Sequence, residues 1–326
     1  MAGLRSMRPG RRPIAIGVLV VAALIAVVLI ATRDHGGQGA TSPASTAPPG
    51  AGSKPTDPSV VLPTVPPQTP STASTVLPSP GRFPDATTTG VPPGTKLTPF
   101  PQTGYVELDH DLDGVDFTGV LVIKKPGITI RNSRINADTF LAGIFNPDGH
   151  ADVVVDHVDI VCTATDPPTG AGVVNVAVLT NTDISGCVDG VKAAAGSRIE
   201  GNYIHNLGFG PDTHNDGVQL EGGTDIVIQG NTIVQRDNGK RQANSAVFVQ
   251  DTTEEVRRVV IRSNYLDGFG FTVRLTGERI ADTHVVGNVI GVDRLFAPVG
   301  VDGGAEERIK GNVVSDNVNP DGTPIS

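Results

Sequence analysis

One eight-residue pattern recurs eight times between residues 128 and 314 and constrains the fold more than any other feature. An apolar–x–apolar stretch leads into a small polar pair, and a further apolar residue follows two positions later. The copies occupy residues 128–135, 153–160, 177–184, 197–204, 226–233, 259–266, 283–290 and 307–314. Their last apolar positions are separated by 25, 24, 20, 29, 33, 24 and 24 residues. A unit this small cannot bury its own apolar side, so neighbouring copies must stack on one another.

The spacing within a copy indicates strands. Ile226, Ile228 and Ile233 alternate with period two on either side of a bend. Most copies follow a second apolar stretch that ends in Gly, such as residues 217–222 and 272–277. Short strands with β-branched residues inside and Gly or Asn at corners predict an all-β fold, a right-handed parallel β-helix of about eight rungs. The two longest spacings predict loops inserted at 208–215 and 236–245, and inserted loops often carry binding sites.

Asparagine fills the corner of the later copies. The sixth position of five consecutive copies is Asn202, Asn231, Asn264, Asn288 and Asn312. Stacked about 4.8 Å apart, these amides can hydrogen-bond along the helix axis and satisfy the backbone at the bend. Asn is also an ordinary turn residue, but five in register predict a ladder.

The first hundred residues are a different kind of chain. Residues 1–13 carry four Arg, and an uncharged apolar run follows at 14–32. About 20 apolar residues span a bilayer, and the Arg excess keeps the N-terminus in the cytoplasm. We therefore expect a single-pass signal anchor in the cell membrane, with the rest of the chain exported. A cleaved signal peptide is the alternative, although its apolar region is normally shorter and no Ala-x-Ala-like site follows directly.

Residues 33–101 are rich in Pro, Ser, Thr, Gly and Ala. Such a segment cannot bury enough apolar surface to offset the entropy of ordering, so it predicts a disordered stalk. The stalk would hold the β-helix domain, residues 102–326, away from the membrane.

Charge excludes one class of partner. Five of the 25 basic residues are Arg within the first 33 positions, which hold no acid. The remaining 20 basic residues face 34 acidic ones, a net charge of about −14 outside the cell. This surface repels nucleic acid and attracts a polyanion only through a bridging cation.

The chain has two cysteines, Cys162 and Cys187. They follow the last apolar positions of adjacent copies by two and three residues, so they should lie one rung apart on the same edge. Rung spacing suits a disulfide, and the expected compartment is oxidising. A structural disulfide is the prediction.

One outward surface of the coil combines cations, carboxyls and amides. Aligning the strands that end in Gly predicts two outward columns, next to inward Val191, Val218, Val247 and Val273. The first column is Lys192, Gln219, Phe248, Arg274 and Gly300, and the second is Ala194, Glu221, Gln250, Thr276 and Asp302. Such a surface, flanked by inserted loops, predicts a trough for an extended glycan. An ordinary solvated surface is the alternative.

The segment 212–221 gathers groups that can do acid–base chemistry. It contains His214, Asp216 and Glu221 around the start of one strand. His exchanges protons near neutral pH, and two carboxyls can share glycosidic chemistry or hold Ca²⁺ with loop oxygens. Asn215-Asp216-Gly217 is also a common turn sequence, and both interpretations remain open.

From about Phe83 onward the chain resembles the pectate-lyase-like right-handed β-helix proteins. It is more similar to exported actinobacterial β-helix proteins of undefined function. Residues 83–99, Phe-Pro-Asp-Ala-Thr-Thr-Thr-Gly-Val-Pro-Pro-Gly-Thr-Lys-Leu-Thr-Pro, and residues 126–135, Pro-Gly-Ile-Thr-Ile-Arg-Asn-Ser-Arg-Ile, carry this likeness. The likeness covers about three quarters of the chain and implies the β-helix fold, but it says little about activity.

A second, local resemblance concerns Asn215-Asp216-Gly217-Val218. It is similar to the Asn-Thr-Asp-Gly strand of polygalacturonase-type glycosidases, which implies a catalytic carboxyl at Asp216. The second Asp of that pattern is Gln219 here, and the family's other motifs are missing from the sequence. Pectate and alginate lyases of this fold use an Arg or Lys base, often with Ca²⁺, which implies such a role for Lys192 or Arg274.

Together these features predict a cell-surface β-helix protein that engages a polysaccharide or cell-wall glycan. If it is a lyase or glycosidase, the candidate catalytic residues are His214, Asp216, Glu221, Lys192 and Arg274. Gln219, Phe248 and Gln250 are the candidate substrate contacts. A non-catalytic wall-binding or adhesion module is the second hypothesis.

Overall fold

A computed structural model describes residues 83–210, 213–235, 243–302 and 311–325, and every regular element among them is a β-strand. In chain order the first strands are β1 (Thr98–Pro99), β2 (Gly104–Leu108), β3 (Leu112–Asp113), β4 (Val115–Ile123), β5 (Thr129–Arg131), β6 (Arg134–Ala137), β7 (Ala142–Phe145), β8 (Val154–Asp156), β9 (Asp159–Cys162), β10 (Ala171–Val174), β11 (Val178–Thr180), β12 (Asp183–Ser185), β13 (Asp189–Lys192) and β14 (Arg198–Glu200). The chain continues with β15 (Tyr203–His205), β16 (Asn215–Leu220), β17 (Gly223–Thr224), β18 (Val227–Gln229), β19 (Thr232–Val234), β20 (Ala243–Gln250), β21 (Val256–Arg262), β22 (Tyr265–Asp267), β23 (Phe271–Thr276), β24 (Ile280–Val286), β25 (Val289–Ile290), β26 (Val299–Asp302) and β27 (Val313–Ser315).

The strands stack in parallel into three long faces, an arrangement consistent with a parallel β-helix. Face one contains β2, β4, β7, β10, β13, β16, β20, β23 and β26. Face two contains β1, β4, β6, β9, β12, β15, β19, β22 and β25, and the long strand β4 joins it to face one. Face three contains β3, β5, β8, β11, β14, β18, β21, β24 and β27, with β17 also paired to β21.

The third position of the repeat forms a stacked interior column. Consecutive pairings join Ile130, Val155, Leu179, Ile199, Ile228, Ile261 and Val285, all of which are buried. These seven positions confirm the predicted register. Leu112 extends the column by one rung before the first copy. β-branched and Leu side chains fill this interior because only the inward-pointing residues of each strand reach it.

The last copy is predicted wrongly. Val285 pairs with Val314, five residues beyond the expected Ile309, which itself lies outside the described residues. The final rung is therefore longer than the 24-residue spacing that the sequence pattern indicated. Apolar alternation alone gives no measure of how many residues a loop inserts.

The asparagine ladder is present, but its fifth residue differs from the one predicted. Each of Asn202, Asn231, Asn264 and Asn288 donates from Nδ2 to the Oδ1 of the next ladder residue at 2.9 Å. The same Oδ1 atoms accept the backbone N–H of the preceding Asn at 2.9–3.0 Å. The fifth member is Asn317, because Asn312 instead accepts a bond from the backbone of Thr283. The ladder satisfies buried backbone and amide groups at the bend between faces three and two.

Residues 83–101, which composition assigns to the stalk, are part of the folded structure. Strand β1 pairs with β4, and the Phe100 ring packs edge-on against Phe117 at 5.5 Å. Before it, the chain crosses face two, where the backbone of Val91 donates to Asp159 Oδ1 at 3.0 Å and the Phe83 ring lies 5.6 Å from Tyr265.

A disulfide joins Cys162 and Cys187, whose Cα atoms are 4.9 Å apart. The bond links adjacent rungs at the corner between faces two and one. Within the part of the chain that the structure describes, no helix is long and apolar enough to cross a membrane. The predicted span at 14–32 and most of the predicted stalk lie outside that part.

Candidate functional site

The outward column predicted on face one is confirmed. Pairings between neighbouring strands run in register through Lys192, Gln219, Phe248, Arg274 and Gly300. In the next column, Gln250, Thr276 and Asp302 are paired in the same way. Face one therefore carries the whole first column and the last three residues of the second in the predicted order.

A break in the alternation at Gly190 brings a further carboxyl to the side of the strand that carries Lys192. A Cβ on Gly190 would meet Ile204 Cγ2 at 2.5 Å, so this position faces the interior, as does the following Val191. Two consecutive inward positions leave Asp189 and Lys192 on the same outer side. Lys192 Nζ lies 3.4 Å from Asp189 Oδ2, in an ion pair whose carboxylate is only 6% exposed.

Asp216 occupies the same position on the next rung and is fully buried. Its backbone N–H donates to Asp189 Oδ1 at 3.0 Å. Its own Oδ1 accepts from the backbone N–H of Ser245 and from Asn244 Nδ2, both at 3.0 Å. Asp216 Oδ2 is buried and, among the described residues, has no hydrogen-bond partner. A buried carboxyl with an unpaired oxygen is rare in folded proteins, which makes Asp216 a candidate functional residue.

Burial and proximity change the protonation of this pair. Burial is the main cause that raises the pKa of Asp216 well above 3.8, and the Asp189 carboxylate raises it further. Burial also raises the pKa of Asp189, although the Lys192 ammonium works against it. Burial would lower the pKa of Lys192, but the Asp189 and Glu221 carboxylates raise it. Because Lys192 pairs with Asp189, the pKa of Asp216 is raised further than that of Asp189.

Arg274 is the fourth residue of the column, three rungs from Lys192. Its guanidinium carbon is 5.0 Å from the centre of the Phe271 ring and 5.3 Å from that of Phe248. Arg274 Nη1 donates to Asn244 Oδ1 at 3.5 Å, and the amide of Asn244 in turn reaches Asp216. The Asn244 side chain thus links Arg274 to Asp216. The sequence predicted that both lie in one trough but did not predict this link.

The remaining predicted residues join the cluster less directly. His214 is exposed, and among the described residues it makes no hydrogen bond or ion pair with Asp216. Glu221 acts on Asp189 and Lys192 through its charge. Gln219 is paired with Lys192 and holds a buried Oε1 that has no partner in the described part of the chain. Gln250 lies in the next column, paired with Thr276.

The described part of the loop at 208–215 borders the site, as the sequence predicted. Asn215 donates from Nδ2 to the carbonyls of Val188 and Gly208, and Thr213 Oγ1 donates to Asn215 Oδ1 at 3.0 Å. These bonds fix the loop against the residue that precedes Asp189. Asp212 lies outside the described residues.

The described residues do not fit the Ca²⁺ that the sequence left open. The Lys192 ammonium already neutralises Asp189, and Asp216 Oδ1 is occupied by two N–H donors. Across the described ranges, no three His, Cys, Asp or Glu side chains converge in a way that would hold a metal ion. A hard cation needs several oxygen ligands without a competing cation.

Two residues of the cluster escaped the sequence interpretation. Strict alternation from inward Val191 would place Asp189 in the interior, but Gly190 and Val191 both face inward and leave Asp189 on the outer side. Asn244 is the additional residue of a β-bulge, opposite the step from Asn215 to Asp216. The repeated Asp-Gly-Val of residues 189–191 and 216–218 is the signal that could have revealed the carboxyl pair.

Comparison with known proteins adds no family. Neither a scan of protein-family models nor searches of curated proteins and of solved structures found a match to the chain. The interpretation of the site therefore depends on its geometry and chemistry.

Proposed function

We propose that this chain is an exported, membrane-anchored, right-handed parallel β-helix of the pectate-lyase-like kind. In this proposal the outward surface of face one engages an extracellular polysaccharide and cleaves it at Asp189 and Asp216. The observation that carries the proposal is the pair of buried carboxyls on adjacent rungs, one paired with Lys192 and the other holding an unpaired oxygen. Burying a carboxyl costs stability. A buried pair of carboxyls therefore supports a catalytic role.

The two carboxyls suit glycoside hydrolysis. That reaction needs one carboxylic acid that protonates the leaving oxygen and one carboxylate that acts as nucleophile or base. The raised pKa of Asp216 suits it as the acid, and the ion pair with Lys192 keeps Asp189 available as the carboxylate. Neighbouring rungs lie about 4.8 Å apart, which is close to the carboxyl separation of about 5 Å in retaining enzymes.

Binding without cleavage is the second candidate. Asp216 is fully buried, so a sugar reaches it only if the Asn244 side chain or the neighbouring loop moves. The polar groups of the surface also satisfy one another, through Lys192 with Asp189 and Arg274 with Asn244. A self-paired surface of this kind favours a wall-binding or adhesion module.

One assay separates the candidates. Full-length protein is incubated with polygalacturonate, alginate, xylan and galactan, with and without Ca²⁺, and reducing ends and unsaturated products are scored. Cleavage by the wild type that is lost in Asp216→Asn but kept in Asp111→Asn, an exposed carboxyl near the first rung, supports the enzyme. Retention of a glycan without cleavage selects the binding module, and neither activity refutes both.

The anchor is tested separately. Residues 14–32 are proposed to span the membrane with the N-terminus in the cytoplasm and the folded part outside. Full-length protein should then resist extraction from membranes by alkaline carbonate, and protease added to intact cells should remove the folded part. A soluble secreted form whose N-terminus lies beyond residue 32 would instead identify a cleaved signal peptide.

A further inference from the structure

Face one ends in an aromatic cluster that the candidate reaction does not use. The rings of Phe271 and Phe296 lie 4.8 Å apart, tilted by 31°. The Arg274 guanidinium lies over Phe271 and over Phe248, at 5.0 and 5.3 Å. Phe296 is 59% exposed, a large value for a phenylalanine in contact with another ring. We call Phe271, Arg274 and Phe296 the platform.

The loop that presents Phe296 is fixed to the coil. The backbone N–H groups of Leu295 and Phe296 both donate to the carbonyl of Gly270, at 3.2 and 2.9 Å. The backbone of Asp293 donates to Asp267 Oδ1 at 3.0 Å. Backbone bonds therefore fix the loop that carries this exposed ring to the coil.

A glycine lies directly beneath the platform. A Cβ on Gly300 would meet Cδ1 and Cε1 of Phe271 at 2.6 and 2.8 Å, so the ring covers this position closely. Gly300 is the column partner of Arg274. Without a side chain at residue 300, the Phe271 ring can lie across the last rung next to Phe296.

We propose that the platform is a sugar-stacking subsite, at which the C–H face of a pyranose ring packs on Phe296 and Phe271 while Arg274 donates to its hydroxyl groups. This inference rests on the proposed function and extends it to the class of ligand, a polysaccharide chain that runs along the helix axis. Arg274 lies three rung steps from Lys192, about 14 Å, and Asn244 connects it to Asp216. The subsite is thus continuous with the candidate site.

The charge of Arg274 favours a glycan over an apolar protein surface. A guanidinium in a dry protein interface loses its hydration, whereas a sugar offers hydroxyl oxygens that replace it. Stacking on aromatic rings contributes about 0.5–1.5 kcal/mol per pair beyond area burial, so loss of one ring should weaken binding by about 2- to 10-fold.

The test uses full-length protein and the soluble polysaccharide that the wild type retains best in affinity electrophoresis, chosen from xylan, galactan and polygalacturonate. Phe296→Ala should weaken retention by about 2- to 10-fold. Phe296→Tyr keeps an aromatic ring and should be retained as strongly as the wild type. Val292→Ala is the matched control, because Val292 is 72% exposed on the same loop and lies outside the platform. Thermal unfolding should be unchanged in all three variants.

The outcomes separate this inference from the proposed function. If the wild type retains a glycan and Phe296→Ala retains it equally well, the subsite is wrong while the proposed function stands. If the wild type retains none of the probes, both fall. If Phe296→Ala changes the oligomeric state and leaves retention unchanged, the platform is a contact between copies, and the inference is overturned.

Discussion

The backbone N–H of Asp216 donates to Asp189 Oδ1 at 3.0 Å, so each rung at this site is tied to the carboxyl of the rung before it. The next step repeats the bond, from the backbone N–H of Ser245 to Asp216 Oδ1. One oxygen of each carboxyl thus supports the fold. The chemistry proposed here belongs to the other oxygen, which meets Lys192 in Asp189 and is unpaired among the described residues in Asp216.

This division predicts different effects for two variants of Asp216. Asp216→Asn keeps the Oδ1 acceptor but cannot ionise, so turnover should be abolished while the melting temperature does not fall. Asp216→Ala removes the acceptor and leaves the Ser245 N–H and the Asn244 amide unpaired, which should destabilise the fold by about 2–4 kcal/mol. Calorimetry and the product assay measure both. If Asp216→Asn alone unfolds the protein, Asp216 is a structural turn residue.

The same pair predicts how stability depends on pH. Because the folded pKa of Asp216 lies well above 3.8, the folded state binds its proton more tightly than the unfolded chain does. The resulting stabilisation is complete below 3.8 and is lost as pH rises through the raised pKa. Wild-type unfolding free energy should therefore fall relative to that of Asp216→Asn over this window. Urea denaturation at a series of pH values measures the difference, and a constant difference would contradict the assignment.

The asparagine ladder should contribute strongly to stability. Asn264 Oδ1 accepts two bonds from Asn231, and Asn264 Nδ2 donates to Ile228 O and Asn288 Oδ1. Asn264→Ala leaves several buried groups unpaired, at about 1–3 kcal/mol each, so we expect a loss of about 4 kcal/mol. Asn319→Ala, whose bonds lie in an exposed turn with Thr323, is the control and should cost less than about 1 kcal/mol. Equal losses would show that the ladder is not a special source of stability.

The disulfide makes a separate prediction. Cys162 and Cys187 are 25 residues apart, and closing a loop of this length should stabilise the fold by about 3 kcal/mol. Labelling of the exported, unreduced protein should find no free thiol. The double variant with both cysteines changed to Ala should fold but unfold at a lower denaturant concentration. Two reactive thiols in the native protein would reopen a redox or metal role for them.

Much of the coil could be predicted because its interior is one-dimensional. The positions from Ile130 to Val285 follow from apolar alternation, since a one-residue slip would turn every inward side chain to solvent. The prediction of the last copy was wrong because Asn312 and Val314 fit the sixth and eighth positions of the repeat. Only the pairing with Val285 shows that Val314 takes the third position. Residues 83–101 are folded although composition favours a stalk there, because backbone bonds to an existing face hold a segment that has few apolar side chains.

The sequence by itself determined the strands, their order and the outward column from Lys192 to Arg274, because period-two alternation and corner residues are local properties. Tertiary structure alone decided the site. The break in alternation at Gly190 left Asp189 on the same side as Lys192, and stacking placed it against the backbone of Asp216. The unusual protonation of the pair follows from burial and from the neighbouring rung, which are products of stacking. The sequence neighbours of a residue determine which side of the strand its side chain faces. Residues about one rung away determine how far that side chain is removed from water.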